Sequence, residues 1–565
     1  MLSSLTLFLL LSLALGVVNA NTFPTLTSPL GPVINLGYAA YAGNSTSPTG
    51  QANSNVTFYG GIPFAQPPVG NLRFRAPQML DESVVNGGNV PVVDARNWGA
   101  ACIQQPAMVG IGSEDCLTLN VWKPTNASEG DNLPVVVYMY GGGHYYGTTQ
   151  GFPMYDWVSQ HPTGIIAVSM NYRLNILGFL SGPELQADGD ANTGLLDQRA
   201  ALEWVQRNIA QFGGNPDEVT LDGESAGGAS VVMQITAYGG TKGVPFKRAI
   251  AQSIGYGYTA NASYAEELFQ NVTQVIGCPP SGPSTMPCLR SASLGSIVAA
   301  INHSPTGRIS PVVDGTFMPQ LPSRLVSEGA FSPVEFVGGH CSNDGRTFVG
   351  GSPSQFVTDA DVERLVFKRW PGVNNETIQQ AMTLYPSPNA TGSPFATQYD
   401  RAWTMAQDII FGCFDWYLEE ALLAKGVQNV YAYRWNAPDP TLLAAAPYEG
   451  VMHTSDLYFL FDGTNTAPNA GATFTPFNAT ENLLSKEAIS YWTSFASTGS
   501  PSTTKTPYSP SWPLFYSNAT TRYRMVLSEA QSVGGSGSAV EVYPEVEIER
   551  CRFWMGADVT AQTAI

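Results

Sequence analysis

Two short patterns in this sequence bring together residue types that can attack a carbonyl. Gly223-Glu224-Ser225-Ala226-Gly227 is a G-x-S-x-G pentapeptide. A strand-like stretch, Glu218–Leu221, precedes it, and a helix-like stretch, Ala226–Tyr238, follows. In that setting the serine sits on a sharp strand-to-helix turn with its hydroxyl exposed, and the glycines clear the space around it. The helix then aims its N-terminal amides at the reacting carbonyl. Upstream, Gly141-Gly142-Gly143 closes an apolar run. The amides of Gly142 and Gly143, with that of Ala226, are candidate donors to an oxyanion. No Lys-Ser/Thr follows these glycines, which argues against a phosphate-cradling loop.

These patterns need strands and helices to hold them. Pro134–Tyr140 and Gly164–Asn171 read as buried strands, and Val334–Val337 and Asn429–Trp435 as later ones. Leu195–Phe212 reads as a helix with Leu202, Val205, Ile209 and Phe212 on one face, stopped by Gly213-Gly214-Asn215-Pro216. Alternating strands and helices predict an α/β fold with a mainly parallel sheet. No internal repeat or linker splits the chain, so one large domain with long insertions, residues 21–565, is expected.

Five stretches, the two patterns above among them, carry a resemblance. Phe58–Pro77 (FYGGIPFAQPPVGNLRFRAP), Glu114–Val121 (EDCLTLNV), Tyr140–Gly143, Asn171–Leu174 (NYRL) and Gly223–Gly227 together resemble the type-B carboxylesterase/lipase family, which includes cholinesterases and secreted fungal lipases. The resemblance spans nearly all of the chain after residue 20. It implies an α/β-hydrolase fold and the chain order Ser, acid, His. In that order the acid precedes a glycine after a strand, which points to Asp344 in Cys341-Ser342-Asn343-Asp344-Gly345, where many relatives carry Glu. The histidine follows Gly-x-x, which points to His453 in Gly450-Val451-Met452-His453. The other four histidines fit less well. His161 and His303 lie in polar stretches, His340 is too close to Asp344 for the order, and His144 reads as pocket wall. Glu224 and Asp456 adjoin Ser225 and His453 and are candidates for an internal charge network.

The resemblance also implies three disulfides: Cys102 with Cys116, Cys278 with Cys288, and Cys413 with Cys551, leaving Cys341 as a buried thiol. Only the thirteen residues IQQPAMVGIGSED lie inside the first bridge. The equivalent loop is longer in both branches of the family, carrying a Trp for choline in one and forming a lid in the other. An open gorge, weak interfacial activation and no choline specificity are therefore expected. Phe348, Tyr145, Tyr256 and Tyr258 are the pocket candidates by position, with Tyr146 beside them.

Composition bounds the partners. The 565 residues carry 44 acids against 26 bases, net charge −18, which would repel a phosphate backbone, so no nucleic acid is expected. Residues 1–20 (MLSSLTLFLLLSLALGVVNA) read as a signal peptide ending in Val18-Asn19-Ala20, although no Lys or Arg precedes the apolar run; a retained anchor is the rival reading. No later segment is apolar enough to span a membrane. Ten Asn-x-Ser/Thr sites, at Asn44, Asn55, Asn126, Asn261, Asn271, Asn302, Asn375, Asn389, Asn478 and Asn518, fit a secreted, extracellular glycoprotein. No metal cluster or nucleotide fingerprint stands out, so no cofactor is expected. The sequence leaves the oligomeric state open. The reading that results is a serine carboxylic-ester hydrolase for small-molecule or lipid esters with apolar or aromatic acyl groups. Lipase, sterol-ester hydrolase and feruloyl-type esterase stay open within it. A silent binding protein and a peptidase are the rivals outside it, the first disfavoured because every expected site residue is present.

Overall fold

The computed structural model describes residues 23–45, 55–255, 259–304, 309–466, 472–516 and 521–565. The leader at 1–20, and the pocket candidates Tyr256 and Tyr258, lie outside the described residues.

The apolar runs that read as strands assemble into one ten-stranded sheet. In chain order its strands are β1 (Val56–Pro63), β2 (Thr118–Pro124), β3 (Leu133–Met139), β4 (Ile166–Met170), β5 (Gly214–Glu224), β6 (Arg248–Gln252), β7 (Glu335–Cys341), β8 (Val430–Trp435), β9 (Tyr523–Leu527) and β10 (Ala539–Val542). Their spatial order is β1-β2-β4-β3-β5-β6-β7-β8-β9-β10. The strands from β4 to β9 run parallel, and β1, β2 and β10 add antiparallel edges. Val135, Val136, Val137, Tyr138 and Met139 of β3 are all buried, as expected for a parallel strand covered on both faces. This is an α/β-hydrolase fold, its mixed sheet flanked by helices.

The covering helices include α1 (Thr193–Asn208), α2 (Ala226–Thr236), α3 (Leu294–His303), α4 (Asp344–Phe348), α5 (Cys413–Ala424) and α6 (Ala479–Thr498). Helix α2 packs on β5 and β6, α5 on β7 and β8, and α6 on β3 and β5. The predicted face Leu202, Val205, Ile209 and Phe212 is wholly buried, although the last turn, Ile209–Phe212, tightens to 3-10 geometry. Gly213 ends that helix in the left-handed region, at φ +94°. The following residues do not extend the turn: β5 begins at Gly214, four residues before the expected start at Glu218, because Gly214 already pairs with Leu133. The other strand and helix expectations hold to within about two residues at most ends.

Three disulfides tie the chain, Cys102–Cys116, Cys278–Cys288 and Cys413–Cys551, and Cys341 is a buried free thiol. Among the described residues no helix is long and apolar enough to cross a membrane.

Candidate active site

Strand β5 ends at Glu224 and α2 begins at Ala226, which leaves Ser225 alone in the turn with φ +59° and ψ −121°. That is an unfavourable backbone for a residue with a side chain, and close packing holds it there. A Cβ on Gly227 would lie 2.2 Å from the Met139 carbonyl oxygen, and one on Gly223 would lie 2.6 Å from that of Gly227. The Ser225 amide donates to the Gln252 carbonyl of β6 at 2.9 Å, pinning the turn from the other side.

Asp344 opens α4 at the end of β7. Gly345 after it has no room for a side chain: a Cβ would meet the Trp403 carbonyl oxygen at 2.1 Å. That close approach gives a physical reason for the acid-glycine pair. His453 lies on the loop after β8. The two loops are clasped through Asn343, whose amide donates to the Val451 carbonyl at 2.9 Å and whose Oδ1 accepts from the Val451 amide at 3.0 Å.

The three expected residues meet in one line. His453 Nε2 lies 2.8 Å from Ser225 Oγ, and His453 Nδ1 lies 2.7 Å from Asp344 Oδ1. Asp344 Oδ2 accepts from Ser253 Oγ at 3.0 Å and from the Cys341 amide at 2.8 Å. The shorter aspartate therefore reaches the imidazole with its second oxygen fully occupied. The imidazole packs between two rings, Phe348 at 5.0 Å and Phe411 at 4.8 Å between centroids.

Carboxyl groups surround this line. Glu224 Oε1 lies 3.3 Å from His453 Nε2, and Asp456 Oδ2 accepts from Gln252 Nε2 at 2.7 Å. Burial alone would lower the His453 pKa; the charge of Glu224, then the Asp344 hydrogen bond and charge, override it and lift it to about 9. Burial holds the Glu224 carboxyl well above its ordinary range, against the pull of His453. These two directions compete, since a neutral Glu224 would not raise its neighbour. The Asp344 hydrogen bond raises His453 in either state, so the upward direction stands. Burial also pushes Asp456 up to about 6, against the Gln252 hydrogen bond.

Gly142, Gly143 and Ala226 line the same cavity as Ser225. Gly142 and Gly143 sit at φ +97° and +61°. As the first residue of α2, Ala226 has an N–H without an intrahelical acceptor. His144 is buried, and its Nε2 lies 3.0 Å from Ser230 Oγ on α2. Burial lowers its pKa to about 4, so it stays neutral and ties the glycine loop to the helix.

The cavity has a volume of about 190 Å³. Phe348 and Tyr145 line it as expected, and so does Tyr146. Sequence reasoning missed Met233, Ile410, Phe411 and Arg369. Ile410 and Phe411 sit on a π-helical turn, Asp408–Gly412, which no local pattern announces. The remaining histidines lie elsewhere: His340 pairs with Asp415 at 2.9 Å, His161 is buried against Ser497, and exposed His303 ends α3. The described residues contain no group of three His, Cys, Asp or Glu side chains able to hold a metal ion.

The Cys102–Cys116 loop is held down at several points. Gln105 Nε2 donates to the Ile301 and Ser304 carbonyls at 2.8 Å, and its amide to the Tyr145 carbonyl at 2.7 Å. Asn302 makes paired hydrogen bonds with the Ala107 backbone. Met108 and Val109 stay exposed at the tip.

The sequence profile of the Carboxylesterase family matches residues 31–554. A secreted lipase of Arthroderma benhamiae is 32% identical over 483 residues, covering 81% of this chain and 83% of that protein. A secreted triacylglycerol lipase of Gibberella zeae is also 32% identical, covering 77% and 80% respectively. The crystal structure of EstA from Aspergillus niger superimposes with a TM-score of 0.81 at 28% identity, covering 95% of this chain and 99% of that one.

Proposed function

This chain belongs to the Carboxylesterase family and is a carboxylic ester hydrolase, and from that premise we propose that Ser225 is its nucleophile, His453 its general base and acid, and Asp344 the carboxylate that fixes the histidine. The observation that carries the reading is the relay of 2.7 and 2.8 Å through the two nitrogens of His453.

Ser225 Oγ attacks the ester carbonyl carbon as its proton passes to His453 Nε2. The oxygen that becomes negative accepts from the amides of Gly142, Gly143 and Ala226, each such donor typically being worth ~3 kcal/mol. Collapse breaks the ester C–O bond, and His453 gives its proton to the departing alcohol. Water then repeats the sequence on the acyl-serine and releases a carboxylate. Asp344 keeps Nδ1 protonated, so that Nε2 can accept, and stabilises the imidazolium.

The substrate is an ester with an apolar or aromatic acyl group, in keeping with the Phe348, Phe411, Ile410 and Met233 walls. The compact cavity favours short or flat acyl groups, whereas the lipase names of two relatives favour longer ones. Rates on p-nitrophenyl esters from acetate to palmitate, below their solubility limits, decide between them. A short-chain optimum supports the esterase reading, and a long-chain optimum makes lipase or sterol-ester hydrolase the better name. In the same assay Ser225→Ala should lose up to ~10⁶-fold in turnover; substantial activity in clean variant protein would sink the assignment.

The protein is secreted in this reading, with residues 1–20 removed and N-glycans on some sequons. Support comes from the three disulfides and from the two relatives named as secreted. Asn126, Asn261, Asn271, Asn302, Asn375, Asn389 and Asn478 are all exposed. N-terminal sequencing of the exported protein should begin at Asn21; Met1 at the terminus would favour a retained anchor.

A further inference from the structure

The cavity at Ser225 is unevenly charged. Near the serine stand the carboxyls of Glu224, Asp344 and Asp456. Elsewhere its walls are mostly apolar or aromatic, with the neutral hydroxyls of Thr259, Ser310 and Thr454, and the one arginine or lysine among them is Arg369, which follows the helix Asp359–Phe367. The Arg369 Cζ lies 5.5 Å from the Phe348 ring centroid and 5.6 Å from that of Trp370, and Nη1 donates to the Phe348 carbonyl at 3.2 Å. The same Phe348 ring touches His453.

Arg369 is half-buried and lacks the carboxylate partner that every buried arginine but Arg199 has. Arg173 pairs with Asp197, Arg248 with Glu218 and Glu335, and Arg524 with Glu541 and Glu547. Among the described residues no carboxylate lies within ion-pair distance of Arg369, and the Phe348 carbonyl is its one hydrogen-bond acceptor. A guanidinium remains charged when half-buried and has five N–H donors, so four make no hydrogen bond to the described residues. Beside it, Tyr145 lines the cavity; burial raises its pKa while Arg369 opposes the rise, and the phenol stays a neutral donor.

We infer that Arg369, with Tyr145 beside it, reads a carboxylate on the substrate at the end away from the scissile bond, so that half-esters of dicarboxylic acids are a preferred class. This rests on the assignment of Ser225 and His453 above. The planar fork of the guanidinium matches a carboxylate in shape and charge. Arg369 is the one arginine or lysine in the cavity lining, which sets the orientation: the neutral ester carbonyl goes to the serine and the anion to the arginine. With a net charge of −18 the protein offers no long-range attraction to an anion, so recognition must be local.

The test compares 4-nitrophenyl hydrogen adipate with 4-nitrophenyl hexanoate, of equal acyl length, as a ratio of kcat/KM. The wild-type ratio should exceed one. It should fall roughly ten- to hundredfold in Arg369→Met, the range for a charge-assisted hydrogen bond, and recover in part in Arg369→Lys. A wild-type ratio below one, or a ratio that Arg369→Met leaves unchanged, overturns the inference. Ser225→Ala run alongside separates the two layers: if turnover of both esters persists in that variant, the site assignment falls and the inference with it.

Discussion

Glu224 Oε1 stands 3.3 Å from the very nitrogen of His453 that holds Ser225 Oγ at 2.8 Å. A carboxylate there favours the imidazolium, which in the proposed mechanism is the wrong state for a base at rest but the right one once the serine proton has moved. The acid limb of kcat/KM should therefore lie above the ordinary histidine value of 6.5, towards the His453 value of about 9. In Glu224→Gln the charge is gone, so His453 deprotonates at lower pH and the limb moves down. A pH profile of both proteins checks this. An unmoved limb would mean that Glu224 is already protonated in the working range.

The same group links stability to pH. His453 has a higher pKa folded than unfolded, so the folded state holds its proton more tightly. That contribution is fully present below about pH 6.5 and is lost as pH rises through about 9. The difference in Tm between wild type and His453→Gln, measured from about pH 5 to 10, should shrink over that window. A constant difference would count against the raised value.

Asp344 accepts three hydrogen bonds, from His453, Ser253 and the Cys341 amide. Asp344→Asn keeps the shape but presents the wrong partner to Nδ1, and should cost about 10⁴-fold in kcat. Ser253→Ala removes a single donor and should cost about tenfold. Equal losses in the two variants would contradict the separate roles of Asp344 as the histidine's partner and Ser253 as a support behind it.

The close contact under the serine turn predicts a folding defect. Gly227→Ala would place a methyl 2.2 Å from the Met139 oxygen, so β3 and α2 must separate. Overpacking of this kind typically costs about 1–3 kcal/mol, occasionally more. The urea midpoint should fall accordingly, and an unchanged midpoint would show that the turn relaxes freely.

The disulfide loop Cys102–Cys116 bears on interfacial behaviour. Held by Gln105 and Asn302, it has little freedom to act as a lid. The rate on tributyrin should rise smoothly as the substrate passes its solubility limit. A sharp jump there would mean that another segment covers the site.

Much of this site could be read from the chain because its parts are local. A serine between two glycines, an acid before a glycine, and a run of three glycines are each recognisable within a few residues, and the close approach of Gly345 to Trp403 shows why such a glycine is needed. The sheet was legible for a similar reason: parallel strands buried on both faces must be apolar throughout, as β3 is. What escaped notice was long-range. Ser253 reaches Asp344 across 91 positions, Phe411 reaches His453 from a π-turn, and Arg369 enters the cavity from after a surface helix. No spacing announces such meetings, since the fold alone brings them together.

Asn343 clasps the acid loop to the histidine loop through both its backbone and its side chain. The loops of Asp344 and His453 are therefore one mechanical part, although 108 positions separate Asn343 from Val451. When the protein is warmed, the two should leave the serine together. Heat inactivation would then run as a single exponential, passing through no half-armed state in which Ser225 keeps its histidine but the histidine has lost its aspartate.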